Sequence, residues 1–235
     1  MTSKKVYFND DLLFSGFSRS AIKFFRELGR NNNRDWFLLN RERYIRFVFE
    51  PMKCLVGSIS PVISGLDPLA LTIPSRVISR IYRDVRFSSD RLPYRARIWF
   101  AFKRDVEYWS STPAYFFQFD DVGYVYGMGM YSALPLTMKK FRGAIDDDPK
   151  GFSKIIEPIE WSEDLRLESD IYKRRIPSEY PLMIDNWYQS RSIAVLGRRE
   201  PDEVFFSSSL IDFLTERFIL LKPLYDFLWS VTVLK

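Results

Sequence analysis

A change of hydrophobic period in the middle of the chain constrains the fold more than any other feature. In residues 95–103, Ile98, Phe100 and Phe102 alternate with residues that are mostly basic or small. Strict alternation places the two sets on opposite faces of an extended strand. The pattern therefore predicts a strand with one apolar face and one basic face. The basic face consists of Arg95, Arg97, Trp99, Ala101 and Lys103.

Further strands are predicted after it, at 115–119 and 124–131, where aromatic residues are frequent. The intervening residues 120–123 are two aspartates, a valine and a glycine, which is a typical turn composition. This arrangement predicts an antiparallel hairpin. Another strand is predicted at 192–196. On the second strand of the hairpin, Gly127 and Gly129 share one face, and we expect a helix to pack closely over them.

The N-terminal part of the chain has helical spacing instead. Apolar residues at 21–28 predict a first helix with Ser18 as its N-cap, and Asn33 is expected to cap a second helix. Pro51 is expected to kink this second helix before it continues.

The C-terminal part is also mainly helical by its pattern. Pro135 is expected to begin a helix that ends near residue 145, with a short helix at 152–156. Ser209 begins a long apolar pattern of i+3 and i+4 steps that Pro223 is expected to bend. Helices on both sides of a strand-rich centre predict an α+β fold.

The composition favours a single domain. With 235 residues and 46% hydrophobic side chains, the chain can bury a substantial core, and neither a linker nor a repeat divides it. We expect a flexible N-terminus at 1–13. We expect one α+β domain at 14–235, in which N-terminal and C-terminal helices pack a central antiparallel sheet.

The near absence of two residue types limits the metal sites and catalytic mechanisms that the chain can support. There is no histidine, and Cys54 is the only cysteine. Imidazole and thiolate are the usual zinc ligands, and imidazole is the base of the Ser-His-Asp and Cys-His arrangements. We therefore expect no zinc or other transition-metal site and no cofactor, with any acid-base chemistry supplied by Asp, Glu, Lys or Tyr.

No segment has both the length and the lack of charge of a membrane span or a signal peptide. The apolar run at 218–221 is ended by Lys222 and Pro223. These patterns predict a cytoplasmic protein without a membrane partner.

Positive charge is concentrated in residues 76–104. This segment contains nine Lys or Arg against two aspartates, a net charge of +7 compared with +5 for the whole chain. Guanidinium groups present a planar fork of donors that suits carboxylate or phosphate. The segment therefore predicts a site for a small anionic ligand, with phosphorylated compounds among the candidates. Its candidate ligand-binding residues are Arg80, Arg83, Asp84, Arg86, Asp90, Arg91 and Tyr94.

Within this segment the carboxylates are expected to orient the guanidinium groups. If the site is catalytic, Asp84 is the candidate base and Tyr94 the candidate acid. The sequence leaves open whether the protein is an enzyme, which ligand it binds, whether Mg²⁺ takes part, and what its oligomeric state is.

The same segment reads R-x-x-R-D-x-R-F from Arg80 to Phe87 and continues to Asp90, Arg91 and Tyr94. In this motif the chain resembles the DUF2461 family, and similar short segments extend the resemblance over most of its length. Arg91 replaces the usual lysine, and the histidines of many relatives are absent. The resemblance implies one DUF2461-like α+β domain at 14–235 and a site at the motif, but no particular reaction.

Three alternatives stay open for the basic segment. Arginines that alternate with aspartates also form structural ion-pair networks. Aromatic side chains beside basic ones can stack the bases of nucleic acids, and here Trp99, Tyr108 and Trp109 stand beside Arg95, Arg97 and Lys103. The segment could also bind another protein or stabilise a component of a larger assembly.

Overall fold

The computed structural model describes residues 13–84 and 91–234. The predicted flexible N-terminus, 1–13, lies outside these ranges except for the exposed Leu13. Within them, helices from both ends of the chain pack against an antiparallel sheet. The predicted α+β fold class is confirmed.

The sheet has five strands in the order β1-β2-β3-β5-β4, all antiparallel to their neighbours. The strands are β1 (Ile98–Phe102), β2 (Ala114–Phe119), β3 (Tyr124–Gly129), β4 (Arg166–Glu168) and β5 (Ala194–Arg199). Strands β2 and β3 form the predicted hairpin. In its turn, Asp120 Oδ1 accepts hydrogen bonds from the amides of Val122 at 2.8 Å and Gly123 at 3.0 Å. The side chain of this aspartate thus stabilises the turn.

Nine α-helices are present in the described part of the chain. They are α1 (Arg19–Arg30), α2 (Arg34–Tyr44), α3 (Glu50–Leu66), α4 (Pro74–Val77), α5 (Pro135–Asp147), α6 (Pro149–Glu160), α7 (Leu182–Tyr188), α8 (Ser209–Leu220) and α9 (Lys222–Val231). A π-helical turn, Ile45–Phe49, joins α2 to α3. The predicted C-terminal helix is divided at Leu221 rather than bent at Pro223. The proline lies in the first turn of α9, where its missing amide hydrogen leaves no helical hydrogen bond unmade.

Alternation along the strands separates a buried face of the sheet from a partly exposed one. Ile98, Phe100 and Phe102 are buried, as the sequence predicts, and so are Phe117 and Tyr126 on the neighbouring strands. Helix α8 contacts β3 on this side and also packs against α3. The apolar face of the sheet therefore forms the hydrophobic core together with the helices.

Helices α2 and α3 and the π-helical turn form a continuous helix of 33 residues, Arg34–Leu66. By length and composition alone this helix could cross a membrane, but the core helix of a soluble protein meets the same criterion. Val48, Met52, Val56 and Ile59 are fully buried in the core. Packing within the protein therefore accounts for the apolar side of this helix.

Asn33 begins α2, as predicted, and its Oδ1 accepts a hydrogen bond from the Trp36 amide at 2.9 Å. We expect Asn33→Ala to lower the free energy of unfolding by about 1 kcal/mol because this amide loses its partner. Urea denaturation measures the change. Asn33→Asp retains an acceptor and serves as the control, and an Asn33→Ala variant as stable as wild type would contradict the capping role.

A buried carboxylate connects three distant parts of the chain. Asp67, which follows α3, is only 3% exposed. Its Oδ2 accepts hydrogen bonds from Arg104 Nε at 2.8 Å and from the Tyr225 hydroxyl at 2.5 Å, and its Oδ1 accepts one from the Leu69 amide at 3.1 Å. Arg104 lies two residues beyond β1, and Tyr225 lies in α9. The carboxylate thus ties the C-terminal helix to the edge of the sheet.

Candidate functional site

The open face of the sheet borders a groove with a volume of about 540 Å³. This volume falls within the usual range of small-molecule sites, roughly 300–1,000 Å³. Its lining is mostly apolar, with two arginines at one end. The groove is lined by Arg95, Arg97, Trp99, Ala101, Trp109, Ser110, Thr112, Ala114, Phe116, Gln118, Gly129, Met130, Tyr131, Ala194 and Leu196.

Small residues form the floor of this groove. Ala114, Gly129 and Ala194 are direct partners across β2, β3 and β5. A Cβ atom on Gly129 would lie 2.6 Å from the Ala194 Cα, so glycine is required by the close approach of the β5 backbone. We expected a helix to pack over Gly127 and Gly129, but this prediction is wrong. The atoms nearest to a Cβ added at either glycine belong to β5 and the residue before it. A row without large side chains leaves a depression in the sheet.

Aromatic side chains border this depression. Trp99 of β1 lies opposite Gln118 of β2, and Phe116 lies two residue pairs further along, on the same face. Trp109 comes from a short 3-10 turn, Trp109–Ser111, which leads into β2. The Lys103 ammonium lies 3.7 Å from the centroid of the Trp109 ring, a cation-π contact that fixes the indole.

The arginine end of the groove is held by a short antiparallel pairing in the R-x-x-R motif segment. The Arg83 amide donates to the Pro93 carbonyl at 2.9 Å, and the Arg95 amide donates to the Ile81 carbonyl at 2.8 Å. The Arg95 guanidinium donates through one nitrogen to the carbonyls of Arg80 at 2.9 Å and Tyr82 at 2.5 Å. These bonds fix Arg95 while its other nitrogens make no hydrogen bond within the described ranges.

Several positive charges meet at this end. Burial, followed by the charges of Arg97 and Arg83, lowers the pKa of Arg95 below its ordinary value, and Asp84 opposes the shift. Neither Arg95 nor Arg97 has a carboxylate oxygen within 4 Å in residues 13–84 and 91–234. Both guanidinium groups lie near Trp99, at 5.2 Å and 5.8 Å from its ring centroid. The local field therefore favours an anion.

Gln118 is the uncharged polar side chain placed nearest to Trp99 by the strand register. It is partly exposed, and its amide has no hydrogen-bond partner in the described part of the protein. An amide offers two donors and an acceptor. It can therefore bind a polar group of a ligand in the groove. Among the described residues, no group of three or more Cys, Asp or Glu side chains is placed to hold a metal ion.

Residues 20–227 match the family described as Conserved hypothetical protein (DUF2461). The chain belongs to the DUF2461 family. No curated protein matches this DUF2461 chain.

The predicted site residues of the DUF2461 protein take different positions. Arg80, Asp84 and Arg91 are exposed, and Arg83 is partly buried. The electrostatic effect of Arg83 and Asp84 on Arg95 places both near the arginine end of the groove. Arg91 has a φ of 49°, in the left-handed region that non-glycine residues seldom adopt. Two further predicted residues, Arg86 and Asp90, lie outside the described residues.

Tyr94 is placed in the core rather than in the groove. Its ring stacks on Phe37 with 4.2 Å between centroids, and Asn32 bonds to both its backbone amide and its carbonyl. Burial, followed by the neighbouring Tyr82, raises the pKa of its hydroxyl. The part of the motif that contains Tyr94 thus anchors the segment to α2 and its N-terminal loop.

The groove combines residues that the sequence grouped differently. An aromatic and basic set that includes Arg95, Arg97, Trp99 and Trp109 is recognisable in the sequence. The candidate ligand site was predicted at the R-x-x-R-D-x-R-F motif instead, because the concentration of arginines there is a stronger indication of anion binding. Gln118 was missed. A single glutamine within an aromatic strand carries no local signal, and its significance comes from its pairing with Trp99.

Proposed function

We propose that the protein binds a small organic anion in the groove, with its acidic group at Arg95 and Arg97 and its apolar part over Ala114 and Gly129. The observation that carries the proposal is the combination of two arginines without carboxylate partners in the described ranges and an apolar groove of about 540 Å³. Phosphate is the leading candidate for the acidic group because guanidinium forks bind its oxygens in pairs.

The motif supports the arginine end in this proposal. The carbonyls of Arg80 and Tyr82 hold the Arg95 guanidinium, and the Arg83 charge adds to the positive field. In this proposal Arg80, Arg83 and Asp84 form the rim of the site. If the protein catalyses a reaction, Asp84 remains the candidate base, because it is exposed beside this cluster.

A thermal-shift screen of phosphates, nucleotides and sugar phosphates tests the proposal. A ligand at about 100 times its dissociation constant should raise the melting temperature by about 5–10 °C. In Arg97→Gln the affinity should fall about tenfold or more because a charged hydrogen bond is lost. Arg97 is exposed and makes no hydrogen bond within the described ranges, so this variant should fold normally.

Arg41→Gln is the matched control, since it removes the same charge from an exposed position of α2 outside the groove. Its ligand response should equal that of wild type. A screen without any ligand whose effect depends on Arg97 would refute the proposal.

Two other functions predict different results. Binding to nucleic acid through the same basic surface predicts affinity for long polyanions and a steep loss of affinity with salt. A purely structural role predicts that Arg83→Ala lowers stability but changes no binding constant.

We propose a cytoplasmic location for the protein, supported by the packing of helix Arg34–Leu66 into the core, and cell fractionation tests it.

A further inference from the structure

We infer that the groove recognises a planar heteroaromatic ring, of the nucleobase type, linked to a phosphate. This inference rests on the proposed anion site and specifies the remainder of the ligand. It depends on three features of the groove, which are the Trp109 indole, the shallow floor and the Gln118 amide, which has no hydrogen-bond partner among the described residues.

The indole of Trp109 is prepared to stack on a flat ring. The cation-π contact with Lys103 holds it from one side. Trp109 lines the groove, whereas Lys103 does not. Atoms of the Trp109 side chain therefore border the space that a ligand would fill. Base stacking on aromatic side chains is a main source of affinity in nucleotide and single-strand binding.

The floor favours a flat body over a bulky one. Ala101, Ala114, Gly129 and Ala194 project little into the groove, while Phe116 and Leu196 border the same space. A ring that lies against the methyl groups and the glycine backbone buries one of its faces without displacing a side chain. This geometry is consistent with the size of a single nucleotide, since volumes of this order suit small ligands.

The Gln118 amide can form hydrogen bonds with the edge of a heteroaromatic ring, whereas the apolar part of an aliphatic anion has no group that would bond to it. Its strand partner is Trp99, whose ring lies near the Arg95 and Arg97 guanidinium groups. A nucleobase edge carries donors and acceptors that match a glutamine amide. A phosphate at the arginines and a ring edge at Gln118 would thus belong to one molecule.

The same chemistry occurs in free mononucleotides and in single-stranded nucleic acid. Isothermal titration calorimetry of the full chain should compare uridine and adenosine 5′-monophosphate with ribose 5-phosphate and inorganic phosphate. We expect the mononucleotides to bind at least about tenfold more tightly than ribose 5-phosphate, as stacking of one base provides. The second part of the experiment measures the affinity for an oligonucleotide of about six residues and compares it with that for the mononucleotides.

Three variants test the role of the ring. In Trp109→Leu the preference for mononucleotides should fall to less than about threefold, while Trp109→Phe should keep most of it. Gln118→Met, which is close in volume, should lower mononucleotide affinity and leave the affinity for inorganic phosphate unchanged. The wild-type comparison remains decisive even if Trp109→Leu does not fold.

The outcomes separate this inference from the proposed function. Equal affinities for mononucleotides and ribose 5-phosphate, both lost in Arg97→Gln, would overturn the ring recognition and retain the anion site. Failure of every phosphate compound to bind would overturn both. Much tighter, salt-dependent binding of the oligonucleotide would support the ring recognition, but it would replace the small organic anion of the proposed function by single-stranded nucleic acid. Comparable oligonucleotide and mononucleotide affinities would support it with a free nucleotide as the ligand.

Discussion

Replacing Gly127 with valine is expected to lower the free energy of unfolding by about 4 kcal/mol, from backbone strain and overpacking together. Gly127 lies in the central strand β3 with a φ of 153°, which side chains rarely tolerate. A Cβ atom there would clash with the Val195 carbonyl oxygen and lie 2.8 Å from the Leu196 Cα. Because these are backbone atoms, β5 would have to move away from β3.

Urea denaturation followed by circular dichroism measures this effect. Gly143→Ala is the matched control, because Gly143 lies inside α5 with no atom within 4 Å of an added Cβ. That substitution should raise the stability by about 0.5–1 kcal/mol through its helix propensity. A Gly127→Val variant within 1 kcal/mol of wild type would contradict the observed register of β3 and β5.

Removing the buried carboxylate of Asp67 is the second large effect that we expect. Asp67→Ala leaves the Arg104 guanidinium and the Tyr225 hydroxyl without their shared acceptor. The free energy of unfolding should fall by about 3 kcal/mol, the lower range for breaking a buried ion pair, since Arg104 is partly exposed. Asp105→Ala, which breaks the exposed ion pair with Arg76, should change it by less than about 1 kcal/mol.

The contribution of Asp67 should also depend on pH. Burial alone would raise the pKa of Asp67, but hydrogen bonds from Arg104, Tyr225 and the Leu69 amide outweigh it and hold the pKa below the ordinary 3.8. The folded state therefore releases this proton more readily than the unfolded state. The stabilisation is complete above pH 3.8 and is lost as the pH falls through the folded-state pKa.

Asp67→Asn separates this titration from that of the other carboxylates. The stability difference between wild type and Asp67→Asn should be constant near neutral pH and should shrink below about pH 4. A difference that does not change between neutral pH and pH 3 would argue against an ionised Asp67 in the folded protein.

Local patterns predicted most of the sheet and the N-terminal helices. The alternation of Ile98, Phe100 and Phe102 identified both the strand and its buried face, and Asn33 identified the start of α2. Strand β4 and helix α7 were not predicted. Three residues of strand and seven of helix are too few to establish a period, and their formation depends on tertiary contacts.

The candidate site was less predictable than the fold. Charge concentration indicated the segment around Arg83, and the alternation placed Arg95 and Arg97 on one face. The groove itself depends on which sheet face the helices leave open and on the pairing of Ala114, Gly129 and Ala194. Such long-range contacts have no signature in any single segment, so neither the groove nor the role of Gln118 could be read from the sequence.

Substitutions on the two faces of the sheet are expected to have different effects, on stability at the buried face and on the groove at the other. Along β1 and β2, each residue that packs in the core is followed by one that faces the groove, so the partly exposed Phe116 can change without altering the buried Phe117. If the proposed function holds, point mutations on the groove face would therefore alter ligand preference at low cost in folding. Related chains with the same architecture are then free to evolve towards different ligands through substitutions at alternate positions of these strands.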